Sequence, residues 1–249
     1  MKNSKKKKPK KRLFIATPAF GAQVYTGYTL SLLGTSELLK NNNIPYMVHM
    51  IGNESLISRA RNECVAVAIN ENCGKLLFID ADVSWDSRMV LRLLSKNKPV
   101  IGGCYPKKAY PEDYAFVCLE DDELFFPEGK RDKPLMENWV RNSRNHIGDG
   151  VMKVEKLCTG FLMIDLDVFR RIAQEIPEKA PLYTSNKPIG DRQVRDHFPV
   201  RVSNSLYMAE DWSFCENCRS IGIDILLDTA CLCGHTGTHT WLPNRRRDG

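Results

Sequence analysis

The chain has 249 residues, enough for one large α/β domain whose core needs no disulfide staples. Hydrophobic residues make up 43% and charged residues 27%, which excludes a disordered or collagen-like polymer, and no apolar run approaches the roughly 18 residues of a membrane-spanning helix. The formal charge of +6 belongs to the N-terminus: eight cations fall between Lys2 and Arg12, so the remainder of the chain sums to about −2.

Residues 1–11 read as a disordered basic arm, solvated or touching anionic surfaces such as lipid or nucleic acid. Arg245, Arg246 and Arg247 make residues 243–249 a second basic tail, and residues 12–242 form the domain between them. Leu13-Phe14-Ile15-Ala16 is too short for the apolar stretch of a secretion signal, so a reducing, cytoplasmic compartment is expected. The nine cysteines then stay free, and several, such as Cys64 and Cys158, sit in apolar runs as small hydrophobes.

Leu13 to Ala16 predicts a first buried strand, with Thr17-Pro18 and Gly21 in the loop leaving it and a helix from Thr26 to Asn41. Tyr46 to Ile51 is a second strand and Leu56 to Ile69 a second helix, with Ala60, Cys64, Val67 and Ala68 near one face. Leu76 to Ile79, a helix opened by Asp86, and Val100 to Cys104 continue the alternation, with Gly102-Gly103 where a backbone or ligand comes close. Such alternation implies a mostly parallel sheet covered by helices. From Pro106 to Gly150 the sequence is charged and punctuated by proline, reading as an insertion with a short strand at Tyr114 to Leu119. Lys153 to Asp165 gives two strand-like runs broken at Thr159-Gly160, followed by a helix from Asp167 to Ile176. Pro177 to Ser205 reads as irregular; Tyr183, Arg192, Arg195 and His197 lie in it, on a long loop expected to face a second substrate. A helix from Glu210 to Ile221, a strand from Ile223 to Leu227 and a polar segment from Cys231 to Thr240 complete the domain.

The apolar run Leu76 to Ile79 delivers Asp80 and Asp82 to the carboxyl end of a central strand, where open α/β sheets place their ligands. Two carboxylates separated by Ala81 can share a hard divalent cation that neutralises a diphosphate, although the same residues could simply cap the helix at Asp86. Glu210-Asp211 opens a helix after a long loop, and either carboxylate could accept a proton from a hydroxyl or merely favour the helix dipole. His235, in Cys233-Gly234-His235-Thr236-Gly237, could complete an oxygen-rich metal site, with His239 its competitor.

Five segments in this order resemble the GT-A glycosyltransferases, especially the short phage and large-DNA-virus sugar transferases. They are Thr17-Pro18; Leu56-Ile57-Ser58-Arg59-Ala60-Arg61-Asn62; Phe78-Ile79-Asp80-Ala81-Asp82; Val100-Ile101-Gly102-Gly103-Cys104-Tyr105-Pro106-Lys107-Lys108; and Glu210-Asp211-Trp212-Ser213-Phe214-Cys215 with Gly234-His235-Thr236-Gly237. The resemblance implies a GT-A (Rossmann-like) α/β fold, a mixed, mostly parallel sheet flanked by helices in a single domain. It implies transfer from a nucleoside-diphosphate sugar, by family habit a UDP-sugar, to a hydroxyl of a glycan or glycoconjugate acceptor, with Mn2+ or Mg2+ as cofactor. Thr17 and Pro18 would border the base and ribose, and Arg61 would approach the base or phosphates. Asp80 would contact ribose or the metal's water, with Ala81 beside the nucleotide. Asp82 would ligate the metal directly and His235 would be its third protein group. Gly160 would lie under the donor sugar, its missing side chain admitting the ring. Asp211, with Glu210 as fallback, would be the general base of an inverting displacement; a retaining enzyme on the same fold is the alternative. The location implied is cytoplasm, including that of a virus-infected host, or a membrane periphery. Oligomeric state is left open.

A rival from another class is a zinc-binding interaction module built on Cys215, Cys218, Cys231 and Cys233 with His235 and His239 behind them. Against it, Trp212, Cys215, Cys218 and Ile221 recur on one helical face, as core positions do. The loop after the first strand lacks the Gly-x-Gly-x-x-Gly pattern of a dinucleotide enzyme, and no helix-turn-helix or zinc-finger signature points to nucleic acid.

Overall fold

The computed structural model describes residues 11–109, 113–119, 146–185, 192–203, 205–237 and 240–241. Residues 1–10 of the basic arm, 120–145 of the insertion, His239 and the tail at 243–249 lie outside the described residues.

Strand β1 (Leu13–Ala19) runs parallel to β2 (Tyr46–Gly52) on one side and β3 (Lys75–Ile79) on the other. Helices α1 (Thr26–Asn41) and α2 (Ile57–Asn70) make the crossovers that parallel neighbours require. A two-residue strand β4 (Val83–Ser84) precedes α3 (Ser87–Lys96), which Asp86 caps by accepting from the Arg88 N–H at 2.9 Å. β5 (Val100–Cys104) leads to the short strands β6 (Phe116–Val117), β7 (His146–Gly148), β8 (Val151–Val154) and β9 (Lys156–Leu157). Then come β10 (Phe161–Asp165) and α4 (Leu166–Glu175). Two antiparallel pairs follow, β11 (Leu182–Ser185) with β12 (Arg192–Arg195) and β13 (Arg201–Ser203) with β14 (Leu206–Met208). Helix α5 (Glu210–Ser220), β15 (Ile225–Leu232), β16 (Gly234–Thr236) and β17 (Thr240–Trp241) end the domain.

The main sheet has eight strands in the order β2-β1-β3-β10-β5-β15-β8-β7. β10 is antiparallel to both its neighbours, β3 and β5, and β15 is parallel to β5. The result is a mixed, mostly parallel sheet flanked by helices, the architecture that the GT-A resemblance implies. Side-chain alternation splits the core across the sheet: Phe14, Ala16, Leu76 and Phe78 join one buried cluster, Leu13, Ile15, Leu77 and Ile79 the other.

Several elements differ from their sequence expectation. Thr17 and Pro18 are not in a loop: β1 continues to Ala19, in register with Met50 and Ile51 of β2. Pairing of β1 with β3 stops at Ala16, so Pro18 lies where the strand has a partner on one side only and no second ladder bond is needed. β15 runs on to Leu232, past the polar Asp228-Thr229, because buried Asp228 is paired with Arg92 Nε at 2.7 Å. Pro177 to Ser205 holds strands too short and too polar to show a period. At Gly102 and Gly103 it is backbone that comes close: a Cβ at Gly102 would stand 2.5 Å from the Phe161 carbonyl oxygen, and one at Gly103 would collide with the Cys231 carbonyl oxygen.

Candidate active site

The segment Asp80-Ala81-Asp82 leaves the carboxyl end of β3 and is held by its backbone at every residue. Asp80 N–H donates to the Gly160 carbonyl (3.1 Å), the Ala81 carbonyl accepts from Tyr25 N–H (3.0 Å) and the Asp82 carbonyl accepts from Thr236 N–H (2.9 Å). β4, the next strand, pairs antiparallel with β16, with His235 opposite Val83. That pairing places His235 Nε2 3.5 Å from Asp82 Oδ2. The Nδ1 atom of His235 lies 2.9 Å from the Pro106 carbonyl oxygen, an acceptor only, so Nδ1 carries the proton. Nε2 is therefore the ring nitrogen that faces the Asp82 carboxylate, and either a proton or a metal cation can stand between the two. Lys108 Nζ also contacts Asp82. Burial would raise the Asp82 carboxyl, but His235 and Lys108 outweigh it and hold its pKa below the ordinary value.

Asp80 faces another way. Its Oδ1 accepts from Arg61 at 3.0 Å, while Arg61 Nε donates to Glu210 Oε1 at 3.3 Å. The Arg61 side chain is 4% exposed and ties the end of β3 to the start of α5, with its Nη1 buried and without a hydrogen-bond partner. Burial would lower its pKa, but Asp80 and Glu210 hold it above the ordinary value, and the guanidinium also stacks over Phe78 with Cζ 5.3 Å from the ring centre. Asp80 is therefore not grouped with Asp82 and His235, and among the described residues no three His, Cys, Asp or Glu side chains cluster as a metal-ion site.

Glu210 and Asp211 occupy the first turn of α5, where the helix dipole favours carboxylates. Asp211 Oδ1 accepts from Trp212 N–H at 2.8 Å, and the Cys158 thiol donates to the same carboxylate. Burial, then the charge of Glu210, raises the Asp211 pKa above the ordinary carboxylate value.

Gly160 and Thr17 take parts the sequence does not predict. The space beside the Gly160 Cα is filled by Tyr105: a Cβ there would lie 2.7 Å from the ring Cζ, and Gly160 N–H donates to the phenol oxygen at 3.2 Å. The missing side chain thus admits a tyrosine, whose ring meets His235 edge-on at 4.9 Å between centres. The Thr17 hydroxyl is buried against the Tyr28 hydroxyl at 2.5 Å, and Pro18 is buried beside it, so neither side chain borders an open cleft.

Of the four residues expected to face a second substrate, His197 is buried and Arg192 and Arg195 have partners within the protein. His197 is buried with its ring edge-on to Phe169, and burial followed by the Arg195 charge lowers its pKa to about 3. Arg192 pairs with buried Glu63, Arg195 donates to the Ala180 carbonyl at 2.9 Å, and Asn62 Nδ2 donates to Asp196 at 2.7 Å. Asn62 also accepts from the His197 and Phe198 amides at 2.9 and 3.1 Å. Arg61, Asn62 and Glu63, three consecutive buried residues of α2, thus each anchor a different part of the C-terminal half. That polar triplet, set among buried Ala60, Cys64 and Val65, is a signal in the sequence that apolar periodicity passes over.

The zinc-module alternative is not supported. Cys215 and Cys218 belong to one core cluster and Cys231 and Cys233 to the other, so the four thiols do not meet.

No family model and no curated protein matches the sequence. Solved structures do. A197 from STIV has 14% identity and a TM-score of 0.49, over 94% of this chain and 95% of that one. S. aureus TarS 1–349 in complex with UDP-GlcNAc has 11% identity and a TM-score of 0.41, over 87% of this chain and 55% of that one. A putative glucose-1-phosphate thymidylyltransferase from Bacillus anthracis has 9% identity and a TM-score of 0.32, over 66% of this chain and 75% of that one.

Proposed function

We propose that this chain is a divalent-metal-dependent glycosyltransferase that moves a sugar from a nucleoside-diphosphate sugar, with uridine as the favoured base, to an acceptor hydroxyl with inversion. The observation that carries the reading is the pairing of Asp82 with His235 just after β3, beside Asp80, which Arg61 joins to Glu210 at the start of α5.

Asp82 and His235 would hold Mn2+ or Mg2+, whose remaining positions go to water and phosphate oxygens, as is usual for these ions on one or two protein groups. When bound, the ion supplies positive charge to the diphosphate as it leaves. Asp82 suits the task because its carboxylate stays ionised in a partly buried site. His235 suits it because the Pro106 carbonyl fixes which ring nitrogen is free. Asp80, fixed by Arg61, is left to the ribose or to metal-bound water. Asp211 takes the proton of the attacking hydroxyl; its raised pKa brings it closer to that proton's affinity than an ordinary aspartate, and Trp212 N–H and the Cys158 thiol fix its orientation. Glu210, held by Arg61, stands beside Asp211 and contributes to that raised basicity. The acceptor is a glycan or glycoconjugate.

A thermal-shift panel of nucleoside diphosphates and nucleotide sugars, with and without Mn2+, tests the reading, because a ligand of the native state raises the melting temperature by mass action. Stabilisation by one diphosphate that requires Mn2+ is expected, and the anomeric configuration of the product, read by NMR, separates inversion from retention. A panel in which no nucleotide shifts melting in either condition would remove the assignment.

A further inference from the structure

Lys107-Lys108 belongs to one of the matched segments but has no part in the mechanism above. Its two ammonium groups have different partners: Lys107 Nζ lies 2.7 Å from Asp113, whereas Lys108 Nζ contacts Asp82, the carboxylate that also faces His235. We propose that Lys108 is a tethered counter-ion of the donor site, which neutralises Asp82 while no divalent cation is bound and, once displaced, binds the donor's diphosphate. The inference rests on the metal-diphosphate reading and adds to it a residue that both competes with the ion and cooperates with the nucleotide.

Asp82 Oδ2 is shared by Lys108 and His235. A divalent ion on that oxygen and an ammonium in contact with it would repel each other strongly in a site of reduced dielectric, so the two occupy it in turn. Among the described residues the site holds Arg61 and Lys108 as cations, and Lys108 is the one free to rotate. Arg61 is buried and bonded on both sides, to Asp80 and to Glu210, while the Lys108 side chain is 32% exposed. An ammonium on a four-carbon stem has three donors and no preferred plane, so it can exchange a carboxylate for a phosphate by rotating its side chain alone. Its backbone stays at the rim meanwhile: Pro106 bridges to Tyr114, its carbonyl meets His235 Nδ1, and Lys107 N–H donates to the Asp113 carbonyl at 2.6 Å. Lys108 is thereby tethered to the same short segment that orients the metal-binding histidine.

The test is Mn2+ binding to the full chain without nucleotide, with free Mn2+ followed by electron paramagnetic resonance. Lys108→Met should bind Mn2+ about tenfold more tightly than wild type, since a charge-assisted bond no longer has to be broken, and Lys107→Met should match wild type. With Mn2+ saturating, UDP should bind Lys108→Met about tenfold more weakly than wild type, and Lys108→Arg should retain most of the affinity. Equal Mn2+ affinity in wild type and Lys108→Met, or an unchanged UDP affinity, overturns the inference while leaving the metal reading intact. Absence of Mn2+ binding from wild type and variant alike removes that reading, and the inference with it.

Discussion

Gly160→Ala puts a methyl group where Tyr105 now lies. Its Cβ would stand 2.7 Å from Cζ and 2.8 Å from Cε1 of that ring, against about 3.5–4.0 Å for an unstrained carbon pair, so the ring must retreat by about 1 Å. Tyr105 is 6% exposed and has little room to do so. Overpacking of this kind costs about 1–3 kcal/mol, and the Gly160 N–H to Tyr105 bond, already 3.2 Å long, adds roughly 1 kcal/mol when it lengthens further. The sum, about 2–4 kcal/mol, corresponds to a fall of roughly 5–15 °C in Tm for a chain of this size. Equilibrium urea unfolding followed by tryptophan fluorescence measures it. Tyr105→Leu alone leaves a cavity, but the two changes act on the same space, so together they should cost at least about 1 kcal/mol less than their sum. Strict additivity, or a Gly160→Ala protein as stable as wild type, would refute the steric reasoning. Because the Tyr105 ring packs edge-on to His235, the alanine variant should also bind Mn2+ more weakly.

Three further outcomes are expected. Asp211→Asn should lower turnover by about 10²–10⁴, the usual worth of a general base, yet melt higher at neutral pH. Its folded pKa is raised, so the native state binds the proton more tightly than the unfolded chain and stability falls as pH rises from the ordinary carboxylate range through the raised value, a loss that asparagine escapes. The acid limb of the wild-type pH–rate profile should lie above the ordinary aspartate value of 3.8, and Glu210→Gln, by removing a neighbouring charge, should move it to lower pH. Arg61→Met should cost about 2–4 kcal/mol in urea unfolding, somewhat below the figure for a fully buried pair because the Asp80 side chain is 28% exposed. Asp80→Asn should be destabilising in the wild type but stabilising in that background.

Much of the framework is legible from local pattern. The alternation of apolar strands and amphipathic helices from Leu13 to Cys104 needs only neighbours in sequence to be read, and α1 and β5 fall within the bounds it predicts. Asp80 and Asp82 at the end of β3 follow from the same pattern. What escapes it depends on long-range partners. The resemblance puts Arg61 near the nucleotide, and nothing local in the sequence shows that it is bonded to Asp80 and Glu210, 19 and 149 residues away. The His235–Asp82 meeting depends on β16 pairing with a strand of two residues, too short to have a period. Gly160 reads as room for a ligand because the sequence holds no sign that Tyr105, 55 residues earlier, fills the space. Arg192 and His197 look solvated because their partners on α2, Glu63 and Asn62, are polar residues in a helix read for its apolar face.

Calorimetric titration of UDP into the full chain tests the central claim most directly, with Mn2+ present and after exhaustive chelation, for wild type and for Asp82→Ala. The expected result is wild-type affinity at least tenfold higher with Mn2+, and an Asp82→Ala protein whose residual binding is indifferent to the ion. Equal wild-type affinity in both conditions would contradict a divalent ion held by Asp82 and His235 on the donor's diphosphate.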